Sequence, residues 1–259
     1  MFEDPSEQVR ALALGQGYIR GIDVASTALY QAVRSQKEWL VAREAFKRIG
    51  DEEPEQLIKF WTSRSKGINP AVWLDLYEAM TQSKSERVRN FAKSFYGGDP
   101  ARIHPMTITG GDAAKGEAVF RNQGACVQCH KMYGEGGEQG PDLSLVGKRL
   151  KRRKLLESVI NPSAEITPGY GLSSVQLKSG DFVSGRLHSE NQTEVVLAAL
   201  DGTKTTYSRT EIAELSPPIS AMPAMGATLA PMDLRDLVSY LASAKSLKAG
   251  KGGKLKHGN

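Results

Sequence analysis

The chain has 259 residues, 40% of them apolar and 24% charged, with a net charge of +5 at neutral pH. This composition excludes a disordered protein, and the length admits two domains. No run of about 18 apolar residues occurs, which excludes a membrane-spanning helix, and Met1-Phe2-Glu3-Asp4-Pro5-Ser6-Glu7 lacks the basic and apolar regions of a secretory signal.

Residues 1–97 read as helices. Asp4-Pro5 with Glu7 behind it predicts a helix start, with Pro5 at the first helical position and Val9, Leu12 and Ala13 as the apolar stripe. Asn69-Pro70 opens another helix, with Val72, Trp73, Leu76, Tyr77 and Met80 at helical spacing. The segment Ser6-Glu7-Gln8-Val9-Arg10-Ala11-Leu12-Ala13 returns as Ser85-Glu86-Arg87-Val88-Arg89-Asn90-Phe91-Ala92, and Ala42-Arg43-Glu44-Ala45-Phe46 echoes it between them. A period of roughly 40 residues built from helix pairs is the signature of HEAT-type repeats, and a plain helical bundle is the competing reading. Stacked repeats need neighbours to bury their faces, so the repeat reading expects further repeats upstream. This part shows no catalytic constellation.

Gly97-Gly98-Asp99-Pro100 ends the helical region, and residues 98–109 read as a linker. A helix then begins at Asp112 and carries Gly116, Val119 and Phe120 on one side. It leads into Cys126-Val127-Gln128-Cys129-His130, which contains the only two cysteines of the chain. C-x-x-C-H is the spacing of covalent haem attachment. Two thiols three positions apart can each add across one vinyl group, and the next residue can turn its imidazole to the iron. A structural zinc site would want four Cys/His ligands, and no second cysteine pair exists. A thioredoxin-like pair would sit in a βαβ context and has no use for the histidine. Structural cysteines that happen to have this spacing are the remaining alternative. The haem reading expects one covalent haem c per chain and a periplasmic or otherwise extracytoplasmic location, where bacterial haem attachment takes place. The signal is then expected to have been removed or, the favoured reading, to lie upstream in a longer exported chain.

The chain is glycine-rich up to Gly140-Pro141-Asp142-Leu143, and residues 149–160 read as a helix ending at Asn161-Pro162. The cluster Lys148, Arg149, Lys151, Arg152, Arg153 and Lys154 is either a solvated helix face or a basic rim that steers an acidic redox partner. Nucleic acid is set aside as a partner, because no recognised binding motif accompanies the charges. From Leu172 to Leu215 the apolar period changes to two, which predicts four or five short strands with turns at Ser179-Gly180-Asp181 and Asp201-Gly202. A curled sheet or an SH3-like barrel satisfies that pattern. Met232 to Leu241 reads as an amphipathic helix. Beyond Asp236, the last acidic residue, Lys245, Lys248, Lys251, Lys254 and Lys256 carry the whole net charge, and 244–259 reads as a basic disordered tail.

The order of these motifs resembles the planctomycete-type haem-binding domain, a cytochrome c domain found behind HEAT-like repeats in large exported proteins. The resemblance covers about residues 110–243. It is carried by Gly116, Phe120, the Cys126 to His130 motif, Gly140-Pro141-Asp142-Leu143, Glu157-Ser158-Val159-Ile160-Asn161-Pro162-Ser163, Pro168-Gly169-Tyr170, Ser179-Gly180, Ser184-Gly185, Ser220-Ala221-Met222-Pro223 and Asp236-Leu237-Val238-Ser239-Tyr240-Leu241. Met225 departs from the pattern, where such sequences tend to have glycine. The resemblance implies a mainly α fold: a HEAT-like region at 1–97, a linker at 98–109, and a class I cytochrome c core at 110–243 interrupted by a small β insertion at 172–215. In that core Gly116 lets two helices approach and Phe120 packs near Tyr240.

The resemblance also implies site roles. Cys126 and Cys129 anchor the haem, His130 is the proximal iron ligand and Met222 the distal one. The Pro141 carbonyl fixes the His130 tautomer, although Gly-Pro-Asp is otherwise a common turn. Met225, Met106, His104 and His188 compete for the distal position, whereas Met132 is tethered to the wrong side of the haem. The implied function is extracytoplasmic electron transfer. The alternatives are a peroxidase-like haem enzyme, the electron-accepting domain of a larger dehydrogenase, and a partner-binding scaffold with structural haem. The β insertion is expected to be dispensable for the haem pocket, because loop-closure entropy changes slowly with length.

Overall fold

A computed structural model describes residues 1–95, 100–199 and 201–246. The Gly97-Gly98-Asp99 boundary and most of the basic tail lie outside the described residues. The fold is mainly α with a small antiparallel sheet, as expected, and among the described residues a separate two-stranded hairpin. The described residues form two compact units, one from residues up to 112 together with 230–239, the other from 113–229 together with 240–246.

The first unit contains α1 (Glu7–Ile19), α2 (Asp23–Ala32), α3 (Trp39–Glu52), α4 (Pro54–Arg64), α5 (Pro70–Thr81) and α6 (Glu86–Phe95). The helix α1 starts later than expected. Ser6 is its cap, with its hydroxyl accepting the Val9 amide at 3.4 Å, and Pro5 stands before the cap. Asn69 caps α5 by accepting the Ala71 amide at 2.9 Å, with Pro70 at the first helical position as predicted. The segments beginning at Ser6 and Ser85 are both helix starts, and their echo at Ala42–Phe46 lies inside α3. The centre of the unit is α3, which packs on α1, α2, α4 and α5. It buries Ala42, Ala45, Phe46 and Ile49, an apolar stripe of helical period. Phe46 meets Phe60 edge-on at 5.2 Å, and Trp61 meets Trp73 at 5.0 Å. Residues 100–107 fold as two 3-10 turns, with Ile103 in this helical core and Thr107 fully buried.

The second unit opens with α7 (Ala113–Arg121) and the cysteine-bearing turn, followed by a hairpin of β1 (Lys131–Met132) and β2 (Glu135–Gly136). The helix expected at 149–160 is broken into α8 (Val146–Arg149) and α9 (Arg152–Ile160), with Leu150 extended between them. The sheet comprises β3 (Gly171–Leu177), β4 (Phe182–Glu190), β5 (Glu194–Ala198), β6 (Lys204–Ser208), β7 (Ile212–Leu215) and β8 (Ile219–Ser220). Its order is β6-β5-β4-β3-β7, with β8 also pairing with β3. Its inner face buries Val175, Val195 and Leu197, the alternate residues that the period of two picks out. Gly180 and Gly202 take positive φ in the predicted turns. The sheet extends past the expected boundary: Ile219 pairs with Leu172, and Ser220 pairs with Gly171. The insertion is therefore hydrogen-bonded to the segment that carries Met222, rather than being a detachable loop.

The last helix is α10 (Pro231–Ser243), of which residues 231–239 belong to the first unit and 240–243 to the second. Within the first unit Arg235 makes a bidentate ion pair with Asp75 of α5 at 2.6 and 3.0 Å, both side chains being buried. Within the second, Tyr240 packs on Phe120 with ring centroids 5.6 Å apart, as the resemblance implies. The Gly147 amide donates to the Ala244 carbonyl at 3.0 Å, and glycine is required there because a Cβ would collide with the Leu241 carbonyl at 2.6 Å. Among the described residues no helix is long and apolar enough to cross a membrane.

Candidate functional site

The end of α7 builds the site. The Gly124 amide closes the helix on the Val119 carbonyl at 2.8 Å, and Ala125 turns the chain at a φ of 47°. A 3-10 turn, Cys126–Gln128, follows. The Cys126 carbonyl accepts both the Cys129 amide at 3.1 Å and the His130 amide at 2.9 Å, so the motif is wound into one tight turn. Both cysteines are free; Cys129 is exposed and Cys126 partly buried. Burial pushes the Cys126 thiol up to about 11, so it stays protonated at neutral pH.

His130 is buried, and its Nδ1 lies 2.9 Å from the Pro141 carbonyl oxygen. A carbonyl can only accept, so this contact puts the imidazole proton on Nδ1 and leaves the lone pair on Nε2.

The sequence shows residues 134–143 only as glycine-rich, with no period to betray their role. In the structure residues 137–143 form a strap hydrogen-bonded to the turn. The Gly137 amide donates to the Val127 carbonyl at 2.9 Å, Gly140 to Cys129 at 2.7 Å and Leu143 to Lys131 at 2.9 Å. The Ser144 hydroxyl accepts the Tyr133 amide at 2.7 Å, and hydrogen bonds from Ser144 hold the Asp142 carboxyl below its usual range. Arg121 joins Glu117 and Glu135, and Lys131 joins Glu138, in exposed ion pairs around the turn. Such pairs stabilise by about 0–1 kcal/mol each, so the backbone bonds dominate the strap.

Cys126, Cys129, His130 and Pro141 are thus brought together. Met222 sits on a separate segment just after β8, half-buried, with its amide donating to the Ser220 hydroxyl at 3.1 Å. Met225 is buried in a short 3-10 turn that packs on α9. Met106 packs against the helical core of the first unit, and His104 starts the same 3-10 turn. His188 is exposed on the sheet, 2.9 Å from the Lys204 ammonium. Met132 is fully buried in β1.

The donor set fits a covalent haem: two free thiols at one turn and an imidazole whose tautomer leaves Nε2 for iron. A zinc site lacks a ligand set, since among the described residues no group of three or more His, Cys, Asp or Glu could hold a metal ion. In the basic segment, Arg149 donates to the Asp142 carbonyl at 3.2 Å and Lys154 bridges Glu157 and Glu165, while Lys148, Lys151 and Arg153 are exposed.

Residues 113–197 match the family model described as cytochrome c. No match to the chain was found among curated proteins. The matched stretch contains Cys126, Cys129, His130 and Pro141, and it ends within β5, before Met222 and α10. The chain therefore carries a cytochrome c domain, which implies covalently bound haem c, haem-based electron transfer and a redox partner.

Proposed function

We propose that this chain is an extracytoplasmic electron-transfer protein holding one haem c. Cys126 and Cys129 are the thioether anchors, His130 Nε2 is the proximal iron ligand and Met222 the distal one. The observation that carries the reading is the His130 Nδ1 to Pro141 contact at 2.9 Å, which sets the tautomer an iron ligand needs. A haem c held there supplies a one-electron ferric/ferrous couple. Pro141 keeps the Nδ1 proton in place, and His130 with Met222 would hold the iron, a ligand pair that would favour its reduced state and suit electron transfer rather than substrate binding.

Lys148, Lys151 and Arg153 steer an acidic partner by long-range attraction. Lys151 and Arg153 stand at the start of α9, where positive charge opposes the helix dipole by about 0.3–1 kcal/mol each. A merely solvated face gives no reason for that placement. The first unit serves as a HEAT-like docking scaffold, in the planctomycete-type arrangement. The test is haem retention after maturation with haem-attachment machinery. Denatured protein keeps its haem, the Cys126→Ala/Cys129→Ala variant does not, and extraction of haem from the intact protein by acidified organic solvent would sink the proposal.

A further inference from the structure

We infer that Gly140 is a positioning residue for His130: the absence of a side chain at 140 is what lets the Pro141 carbonyl reach the imidazole. A Cβ at 140 would stand 2.5 Å from His130 Cε1, 2.6 Å from Nδ1 and 3.0 Å from Nε2, a collision with the ring itself. The ring is buried and tied to the Pro141 carbonyl on one side. Gly140 is tied on the other, its amide donating to the Cys129 carbonyl at 2.7 Å. The peptide has little freedom to pivot, since the residue before a proline is confined to extended conformations. A methyl group at 140 must therefore either rotate the imidazole away from Pro141 or lift the strap off Cys129. Both outcomes remove the acceptor from Nδ1.

Gly140 differs in kind from its neighbour Gly134. Gly134 has a φ of +86° and nothing within 4 Å of its would-be Cβ, so its glycine serves the backbone conformation. Gly140 has no such φ and is needed for space alone. A hydrogen bond from Nδ1 to a carbonyl makes Nε2 a stronger electron donor. Losing it weakens the stabilisation of ferric iron, so the reduction potential rises.

This inference rests on the haem reading for its redox consequence only. The experiment compares haem-loaded wild type, Gly140→Ala and Gly134→Ala. Gly140→Ala is expected to keep its haem, to show a higher reduction potential, and to exchange the His130 Nδ1 proton with solvent about tenfold faster, as loss of one hydrogen bond would give. Gly134→Ala, which strains the backbone without touching the ring, leaves both quantities at wild-type values. A Gly140→Ala protein with unchanged potential and exchange, or equal changes in Gly134→Ala, would overturn the inference. Should Gly140→Ala not accumulate, nitrogen-15 NMR of the wild-type chain without haem decides: a proton on Nδ1 of His130 is expected, and a proton on Nε2 overturns it. Failure of wild type to take up haem, with the Nδ1 proton in place, would sink the proposed function and leave the role of Gly140 standing.

Discussion

Replacing Met222 and Met225 one at a time separates an iron ligand from a core residue, because the two have opposite surroundings. Met225 is 6% exposed, in a turn packed on α9. Truncation to alanine deletes buried atoms that the fold cannot fully collapse upon, so Met225→Ala is expected to cost about 2–5 kcal/mol of stability. Met222 is half-buried, and its side chain contributes less to the core. In the haem-loaded protein, Met222→Ala is expected to remove the weak sulfur-to-iron band at the red end of the ferric spectrum and to open the reduced haem to carbon monoxide. Met225→Ala is expected to keep the band and exclude carbon monoxide while unfolding at markedly lower urea. The two assays thus respond to different residues. Loss of the band in Met225→Ala with its retention in Met222→Ala would move the ligand to 225, and retention in both would place the sixth ligand elsewhere.

Asp75→Asn should cost about 3–5 kcal/mol in urea unfolding, since it removes the bidentate carboxylate and leaves the buried guanidinium of Arg235 only the Asp236 carboxylate, 3.7 Å from its Nε, whereas Asp75→Leu with Arg235→Met should recover most of the loss. A single variant within about 0.5 kcal/mol of wild type would show that water reaches the pair. Reversing Lys148, Lys151 and Arg153 to glutamate should slow reaction with an acidic partner far more at low salt than at high salt, and equal slowing at both would leave these charges as a solvated face. Replacing residues 172–215 by a short linker removes Leu172, the partner of Ile219 in β8, and leaves only Gly171 of β3 opposite Ser220, so the sulfur-to-iron band should be lost. A surviving band would mean that something other than this pairing holds the segment before Met222.

The sequence reveals most where each residue has one job. In Cys126-Val127-Gln128-Cys129-His130 the spacing of the two cysteines and the histidine points to one chemistry, and at Asn69-Pro70 the cap and the fixed φ both point to a helix start. Strands alternate cleanly because one sheet face is buried. The break at Leu150 is invisible in the sequence, since a leucine there fits the helical period of its neighbours. The strap is hidden for a different reason: glycine runs carry no period, and the amides of Gly137, Gly140 and Leu143 act through the backbone. The Asp75–Arg235 pair joins residues 160 positions apart, a separation no local pattern reports. The contrast between half-buried Met222 and buried Met225 likewise comes from tertiary packing.

The sheet order gives β6 a protective part. Its neighbour β5 (Glu194–Ala198) carries the apolar, proline-free run Val195-Val196-Leu197-Ala198, a composition that favours strand stacking. It is flanked by β4 on one side and by β6 on the other, so neither row of its backbone groups is open. The outward edge is instead β6, which is short, exposed over Lys204, Thr205 and Thr206, and bordered by Lys204 and Arg209. Charged, polar edges discourage a second chain from adding a strand. Proteolytic nicking at the Asp201-Gly202 turn that freed β6 would uncover the Val195–Leu197 segment, and the expected result is self-association by strand stacking rather than simple loss of a loop.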